Sequence, residues 1–416
     1  MVAADSLSSD VPEIHVVTGG AGFPGFSLGR RLAKKGHIVK LIDVKEPVLD
    51  LEEGMEFFKG NITDLEFVSS IVRGASVVYH LASYGMSGRE QLNKKLIETV
   101  NIGGTETVLK ACLDNDVTRL VYTSTYNVIF GGQEIKNGDE SLPYLTDDKF
   151  TDHYSRTKML AEQKVLATNG QQTAQGKTFR CCVLRLAGVY GPGEQRHIPR
   201  IVSYLEQGLV KVTYGCKDSR VDFLHVDNLV QAHELAALAL REDRQFIAAG
   251  KAYFINDNKP INNFEFFRPL FEGLGYGYPK VNLPLLPVFY FAWLTELIHA
   301  IVSPVYNFQP LLTRTEVYKT GVTHYFSIQN ATKDLNYHPT VHNDLSGVVA
   351  YYKKLGRVKG HQSSIFMYYL VNAIIIFFIY NLFIFILPGV TGLASSLTTG
   401  ATGLYSSLTC LDYSDS

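Results

Sequence analysis

The stretch VVTGGAGFPG, residues 16–25, leaves this chain few folds to choose from. It joins a run rich in β-branched residues, IHVVT (14–18), to a helical pattern that begins near Phe26, and it carries Gly19, Gly22 and Gly25 between them. Glycines there permit a tight turn and leave the backbone without side chains on its outer surface. A strand, a bare turn and a helix in succession form the opening unit of a doubly wound parallel sheet.

The rest of the first half repeats that alternation. HIVKLID (37–43), SVVYHLA (76–82), RLVYTST (119–125) and FRCCVLRLA (179–187) are dense in β-branched and aromatic residues and predict strands. Helical stretches over 26–35, 65–73 and 92–114 lie between them, and another opens at Asp152, a good N-cap. The expected fold class is α/β: a Rossmann-type doubly wound parallel sheet, a smaller C-terminal substrate-capping region and a C-terminal transmembrane helix. The expected divisions are a disordered N-terminus over 1–12, a mainly dinucleotide-binding domain over 13–190 and a mainly substrate-binding region over 191–355. A membrane span over 365–387 and a flexible tail over 388–416 complete them.

Composition removes several function classes. Lys+Arg 39 against Asp+Glu 40 gives a net charge of −1, so there is no broad basic surface for nucleic acid. The five cysteines have neither zinc-site nor disulfide-framework spacing and are expected to be reduced. The polar start MVAADSLSSDVPE is not a secretory signal. IFMYYLVNAIIIFFIYNLFIFIL (365–387) has no charged residue and is long enough for a span. Arg357, Lys359 and His361 precede it, and no Lys or Arg follows, so the bulk of the chain is expected on the cytosolic side, by default of the endoplasmic reticulum. Sugar on either sequon, Asn61-Ile-Thr63 or Asn330-Ala-Thr332, would overturn that orientation. LPLLPVFYFAWLTELIHAIV (283–302) is interrupted by Glu296 and His299 and reads as an interfacial helix or a buried one before a span.

Two constellations carry chemistry. The glycine turn at a helix mouth suits a pyrophosphate, and Asp43, ending the second strand, suits a ribose diol while repelling a 2′-phosphate. NAD is therefore the expected cofactor. Downstream, DHYSRTKML (152–160) sets Tyr154 and Lys158 four apart on one helix face. A cation there favours the phenolate and makes the tyrosine a usable acid or base near neutral pH.

Gly-x-x-Gly-x-x-Gly followed by Tyr-x-x-x-Lys resembles the short-chain dehydrogenase/reductase superfamily in its extended branch. GNITD (60–64), HLAS (80–83), NIGGT (101–105), LRLAGVYGPG (184–193) and VDFLHVDN (221–228) match that branch in order, with Asn61 where aspartate is usual and Leu186 where proline is commoner. ASYGMSGREQLN (82–93) and VIFGGQEIKNGDESLPY (128–144) look like the 42E family of its 3β-hydroxysteroid dehydrogenase type, as does YNFQPLLTRTEVYKTGVTHYFS (306–327). The resemblance implies cofactor contacts at Gly19, Gly22, Gly25, Asp43, Asn61, Ile62, Ala82 and Lys158. It implies catalysis by Tyr154, Lys158 and Thr125, the last standing at the family's serine. The neighbouring Ser124 points to the other face of its strand.

The expected function is a membrane-anchored NAD-dependent oxidoreductase acting on a steroid or sterol-like alcohol or ketone, with a homodimer as a further expectation from the resemblance. A sugar-nucleotide epimerase or reductase stays open, with Arg196, Arg200 and Arg220 to hold a pyrophosphate. A non-catalytic NAD-binding scaffold stays open too. TSTYNV (123–128) lacks the carboxylates of a dehydratase.

Overall fold

The computed structural model describes residues 12–86, 88–302 and 312–360. The expected span, the flexible tail and nearly all of the N-terminal segment lie outside them. In chain order the first half runs β1 (Ile14–Thr18), α1 (Phe23–Lys34), β2 (Ile38–Asp43), β3 (Met55–Lys59), α2 (Leu65–Val72) and β4 (Val77–His80). It continues with α3 (Lys94–Glu98), α4 (Gly104–Asp114), β5 (Arg119–Thr125), β6 (Ile135–Gly138), α5 (His153–Thr168) and β7 (Arg180–Leu186). Then follow β8 (Gly188–Tyr190), α6 (His197–Glu206), β9 (Val212–Tyr214), β10 (Phe223–His225), α7 (Val226–Ala239) and β11 (Ala252–Ile255). The last group is α8 (Asn263–Gly273), β12 (Val281–Leu283), α9 (Leu285–Val302), α10 (Arg314–Gly321), β13 (His324–Phe326), α11 (Gln329–Leu335) and α12 (Ser346–Lys354).

Seven strands pair in parallel in the order β11-β7-β5-β4-β1-β2-β3. Successive side chains on each strand go to opposite faces, and helices bury both. Val17, Leu41, Tyr79, Val121 and Leu184 pack with Leu28 and Leu32 of α1 and Leu229 and Ala232 of α7. Val16, Ile42, Val78, Leu120 and Val183 pack on the other face with Val68 of α2, Val108 of α4 and Val165 of α5.

Two expectations change. β3, an edge strand, has no counterpart in the sequence reading; its MEFFK is half-exposed and charged at two of five places, which hides its pattern. The helix expected over 92–114 is α3 and α4 joined by a π-helical stretch, Thr99–Gly103. Cys112, Cys181 and Cys182 are buried free thiols.

Beyond Tyr190 the chain is not one separate layer. β11 returns to the edge of the main sheet, while β8–β10, β9–β12 and β6–β13 form small parallel pairs above it. A separate core, around Phe223, Phe266, Leu270 and Tyr352, ties α6, α8 and α12 together. Among the described residues no helix is long and apolar enough to cross a membrane. α9 keeps Val288 and Ala292 buried and leaves Tyr290, Trp293, Leu297 and Ile301 exposed.

Candidate active site

The strand order reverses between β1 and β4, and a crevice opens there beyond the carboxyl ends of the strands. A cavity of about 1400 Å³ fills it, lined by Gly19, Gly22, Gly25, Asp43, Asn61, Ile62, Ala82, Thr125 and Tyr154. Such a volume exceeds the ~300–1,000 Å³ of an ordinary small-molecule pocket, so it has room for a dinucleotide and a second molecule. The described residues thus bring together every sequence-predicted site residue except Lys158, which lies behind the wall.

The glycine turn is a cradle by construction. A Cβ on Gly25 would strike the Gly19 carbonyl oxygen, and one on Gly19, whose φ is +70°, would come within 2.9 Å of the Ala82 backbone. The turn therefore lies directly against the exit of β4. Gly22 caps α1 without any side-chain bond, which leaves the positive end of the helix facing the cavity. Asp43 accepts hydrogen bonds from the backbone N–H of Ala21 at 3.2 Å and of Lys45 at 3.1 Å, so its carboxylate is held at the end of β2. Asn61 accepts from the Thr63 N–H at 3.1 Å and shapes the next turn, and Ile62 is buried against Gly104. A bare turn, a helix mouth and an anchored carboxylate together fit a dinucleotide with an unphosphorylated ribose.

The chemical end sits on α5. Asp152 caps this helix, accepting from the Ser155 N–H at 2.7 Å, and also pairs with Lys319 of α10 at 3.1 Å. Tyr154, in the first turn, is buried and lines the cavity. Burial raises its pKa; a hydrogen bond with the Ser83 side chain and the charge of Arg196 oppose that. Lys158 does not act on the phenol as the spacing suggested. Its ammonium donates to the Tyr122 hydroxyl and to the Thr123 carbonyl, both at 2.6 Å, and burial lowers its pKa to about 7. The i, i+4 spacing put both groups on one face of α5, but β5 offers the ammonium nearer acceptors.

The two hydroxyls at the end of β5 part as strand alternation requires. Both border the cavity, but the Ser124 hydroxyl is taken up by the Glu162 carboxylate, to which it donates, whereas the Thr125 hydroxyl accepts from the Asn127 side-chain amide at 3.0 Å. Sequence reasoning did not single out Ser83, Tyr122 or Glu162 as functional, and it offered Arg196 only as a holder of a pyrophosphate, not as a neighbour of Tyr154. Glu162 had a signal, standing four residues past Lys158; the others meet the site only through tertiary contacts.

The far half of the cavity is apolar, walled by Phe223, Phe267, Phe271, Val288 and Phe291 among others. The arginines on it are already paired: Arg200 with Glu316 at 2.7 Å and, more loosely, Arg196 with Glu90 at 3.8 Å. Arg220 is exposed and outside the cavity wall. Asp222, whose carboxyl burial pushes up to about 8, accepts from the Phe326 N–H at 2.7 Å and the Asn256 amide at 3.1 Å.

Comparison with known proteins adds four findings. The 3-beta hydroxysteroid dehydrogenase/isomerase family matches residues 16–285. The protein named short-chain dehydrogenase/reductase family 42E member 1 from Danio rerio is 56% identical over 350 residues, which is 84% of this chain and 90% of that one. The 3 beta-hydroxysteroid dehydrogenase/Delta 5-->4-isomerase of Mycobacterium tuberculosis is 36% identical over 359 residues, 84% of this chain and 93% of that one. Among solved structures, an epimerase from Methanothermobacter thermautotrophicus superposes with a TM-score of 0.63 at 21% identity, covering 82% of this chain and 93% of that one. At that identity the likeness speaks for the fold alone.

Proposed function

This chain belongs to the 3-beta hydroxysteroid dehydrogenase/isomerase family, and on that premise we propose that it oxidises or reduces a steroid or sterol-like molecule at a membrane, with NAD as cofactor. The observation that carries the substrate class is the apolar half of the cavity, where the arginines that a nucleotide sugar would need are paired or outside the wall. A rigid, mostly apolar ring system gains from such walls, while a pyrophosphate would have to displace Glu316 from Arg200.

Bound NAD supplies the hydride acceptor, and NADH the donor. Gly19, Gly22 and Gly25 would receive the pyrophosphate, Asp43 the adenosine ribose, and Asn61, Ile62 and Ala82 would border the same nucleotide half. Tyr154 takes the hydroxyl proton of a substrate alcohol in oxidation and returns it in reduction. Thr125 offers a hydrogen bond to the substrate oxygen. Lys158, four residues on from Tyr154 in α5, would hold the nicotinamide ribose hydroxyls. Ser83 and Arg196 lower the work of making the phenolate.

The membrane part of the proposal rests on two stretches. Residues 365–387 have the length and composition of a span, with the basic flank on the catalytic side. The exposed Tyr290, Trp293 and Leu297 of α9 suit a headgroup layer, while its Val288 and Phe291 line the cavity. Substrate would then be drawn from lipid on the cytosolic face of the endoplasmic reticulum. The test is direct: full-length protein in detergent with NAD and a panel of 3-hydroxy and 17-hydroxy steroids and sterols. Production of NADH from none of them, above a no-enzyme background, would sink the substrate class, and uridine-diphosphate binding would favour the sugar-nucleotide reading.

A further inference from the structure

Behind the cavity lies a charge cluster that the reaction above does not use. Glu162 is fully buried and Arg185 nearly so, and they pair at 2.7 Å through Nη2 and 2.9 Å through Nε. The Glu162 carboxylate also accepts from the Tyr144 hydroxyl at 2.9 Å and from Ser124. The Arg185 guanidinium lies between the rings of Tyr144 and Phe254, with its Nη1 unpartnered among the described residues. Burying such a pair costs several kcal/mol per ion, and an apolar replacement is often as stable. A role in stability alone therefore explains it poorly.

Its place explains it better. Glu162 stands one helical turn beyond Lys158, where i, i+4 neighbours have Cβ atoms ~5–6 Å apart. It grips the hydroxyl of the residue next to Thr125. We propose that Glu162 is a positioning residue of the active site: it pins Ser124, so that Thr125 is turned to the cavity, and it supplies the negative charge that faces the buried Lys158 ammonium. The inference rests on the proposed roles of Lys158 and Thr125.

The groups around Lys158 come from four elements. They are His80 on β4, Tyr122 on β5, Tyr154 and Glu162 on α5, and Arg185 on β7 behind Glu162. Tyr144 stands behind the carboxylate as well. His80 is neutral, since burial and Lys158 lower its pKa to about 3. The tyrosines are held protonated by burial. That leaves Glu162 as the charge that favours a protonated Lys158, against the burial that disfavours it. Glu162→Gln removes that attraction and unmasks Arg185, and both changes push Lys158 toward its neutral form.

The experiment uses full-length protein in detergent. NADH binding by fluorescence and steroid-dependent kcat are followed from pH 5.5 to 10 for wild type, E162Q, S124A and E162Q/R185M, with Tm alongside. The alkaline limb of E162Q, in binding and in kcat, should move toward acid by about one pH unit or more. In E162Q/R185M the limb should stay displaced although Tm recovers, and this variant serves if E162Q does not fold. S124A should lose kcat severalfold with its limb in place. Limbs of both Glu162 variants that coincide with wild type would overturn the inference and leave the proposed function standing. Wild type that binds no NADH would overturn both.

Discussion

The Lys158 ammonium is 2.6 Å from the Tyr122 hydroxyl and 4.1 Å from the centre of its ring. The lysine that the motif pairs with Tyr154 is thus engaged by a strand residue 36 positions away. Tyr122 and the Thr123 carbonyl set where that cation rests, and the Tyr122 hydroxyl is one of the two groups the ammonium would have to leave to reach a ribose.

Removal of the Tyr122 hydroxyl should therefore be felt at the cofactor. Tyr122→Phe keeps the buried ring but frees the ammonium of one partner, so NADH affinity should change severalfold while the unfolding free energy falls by only the ~1 kcal/mol of a buried hydrogen bond. Fluorescence titration of the variant against wild type measures it. Unchanged affinity would mean that Lys158 does not exchange Tyr122 for the cofactor.

Stability should depend on pH through Lys158. Burial lowers its folded pKa to about 7, against ~10.4 in an unfolded chain. Between those values the unfolded chain holds the extra proton, so the penalty is full below ~7 and vanishes as pH rises through the window. The stability of wild type relative to Lys158→Met should rise by on the order of 3 kcal/mol from pH 7 to pH 10, read from urea unfolding without added cofactor. A flat difference would place the lysine in a wetter site.

The glycine turn makes a steric prediction. Gly25→Ala sets a methyl against the Gly19 carbonyl oxygen, which is backbone and cannot turn aside. NADH affinity should fall at least ~10-fold, about 1.4 kcal/mol, by calorimetry. Gly103→Ala, whose Cβ would meet nothing within 4 Å and whose φ is −62°, is the control for a methyl added without a clash.

Hydroxyls at the end of β5 should separate by role. Thr125→Ala should cut kcat by roughly 10²-fold with Thr125→Ser close to wild type, as for a group that acts on the reacting oxygen. Tyr154→Phe should be at least as damaging, and neither should weaken NADH binding more than severalfold. A Thr125→Ala enzyme with full kcat would remove that residue from the chemistry.

Topology can be read with sugar. An acceptor sequon placed after residue 410 should be glycosylated in microsomes, while Asn61 and Asn330 should not, although both are in sequons. Asn330 donates to Glu140 at 2.6 Å, so a glycan there would also break a contact of the fold. Endoglycosidase shifts of single-sequon variants distinguish the cases, and sugar on Asn330 would reverse the orientation.

By itself the sequence determined the parallel sheet, the glycine cradle, Asp43, and the choice of Thr125 over Ser124. The sheet, the turn and the place of Asp43 follow from local periodicity, in which strands alternate every residue and helices return every turn; Thr125 was picked out by the family resemblance, and alternation only set Ser124 aside. Edge strand β3 escaped because a half-exposed MEFFK carries no such period. Only tertiary structure decided where the Lys158 ammonium points, that Ser83 meets Tyr154, and that Glu162 draws in Arg185 and Tyr144 from positions 23 and 18 residues away. A buried polar group must find its partners wherever the packing brings them, and that demand is met across elements, not along the chain.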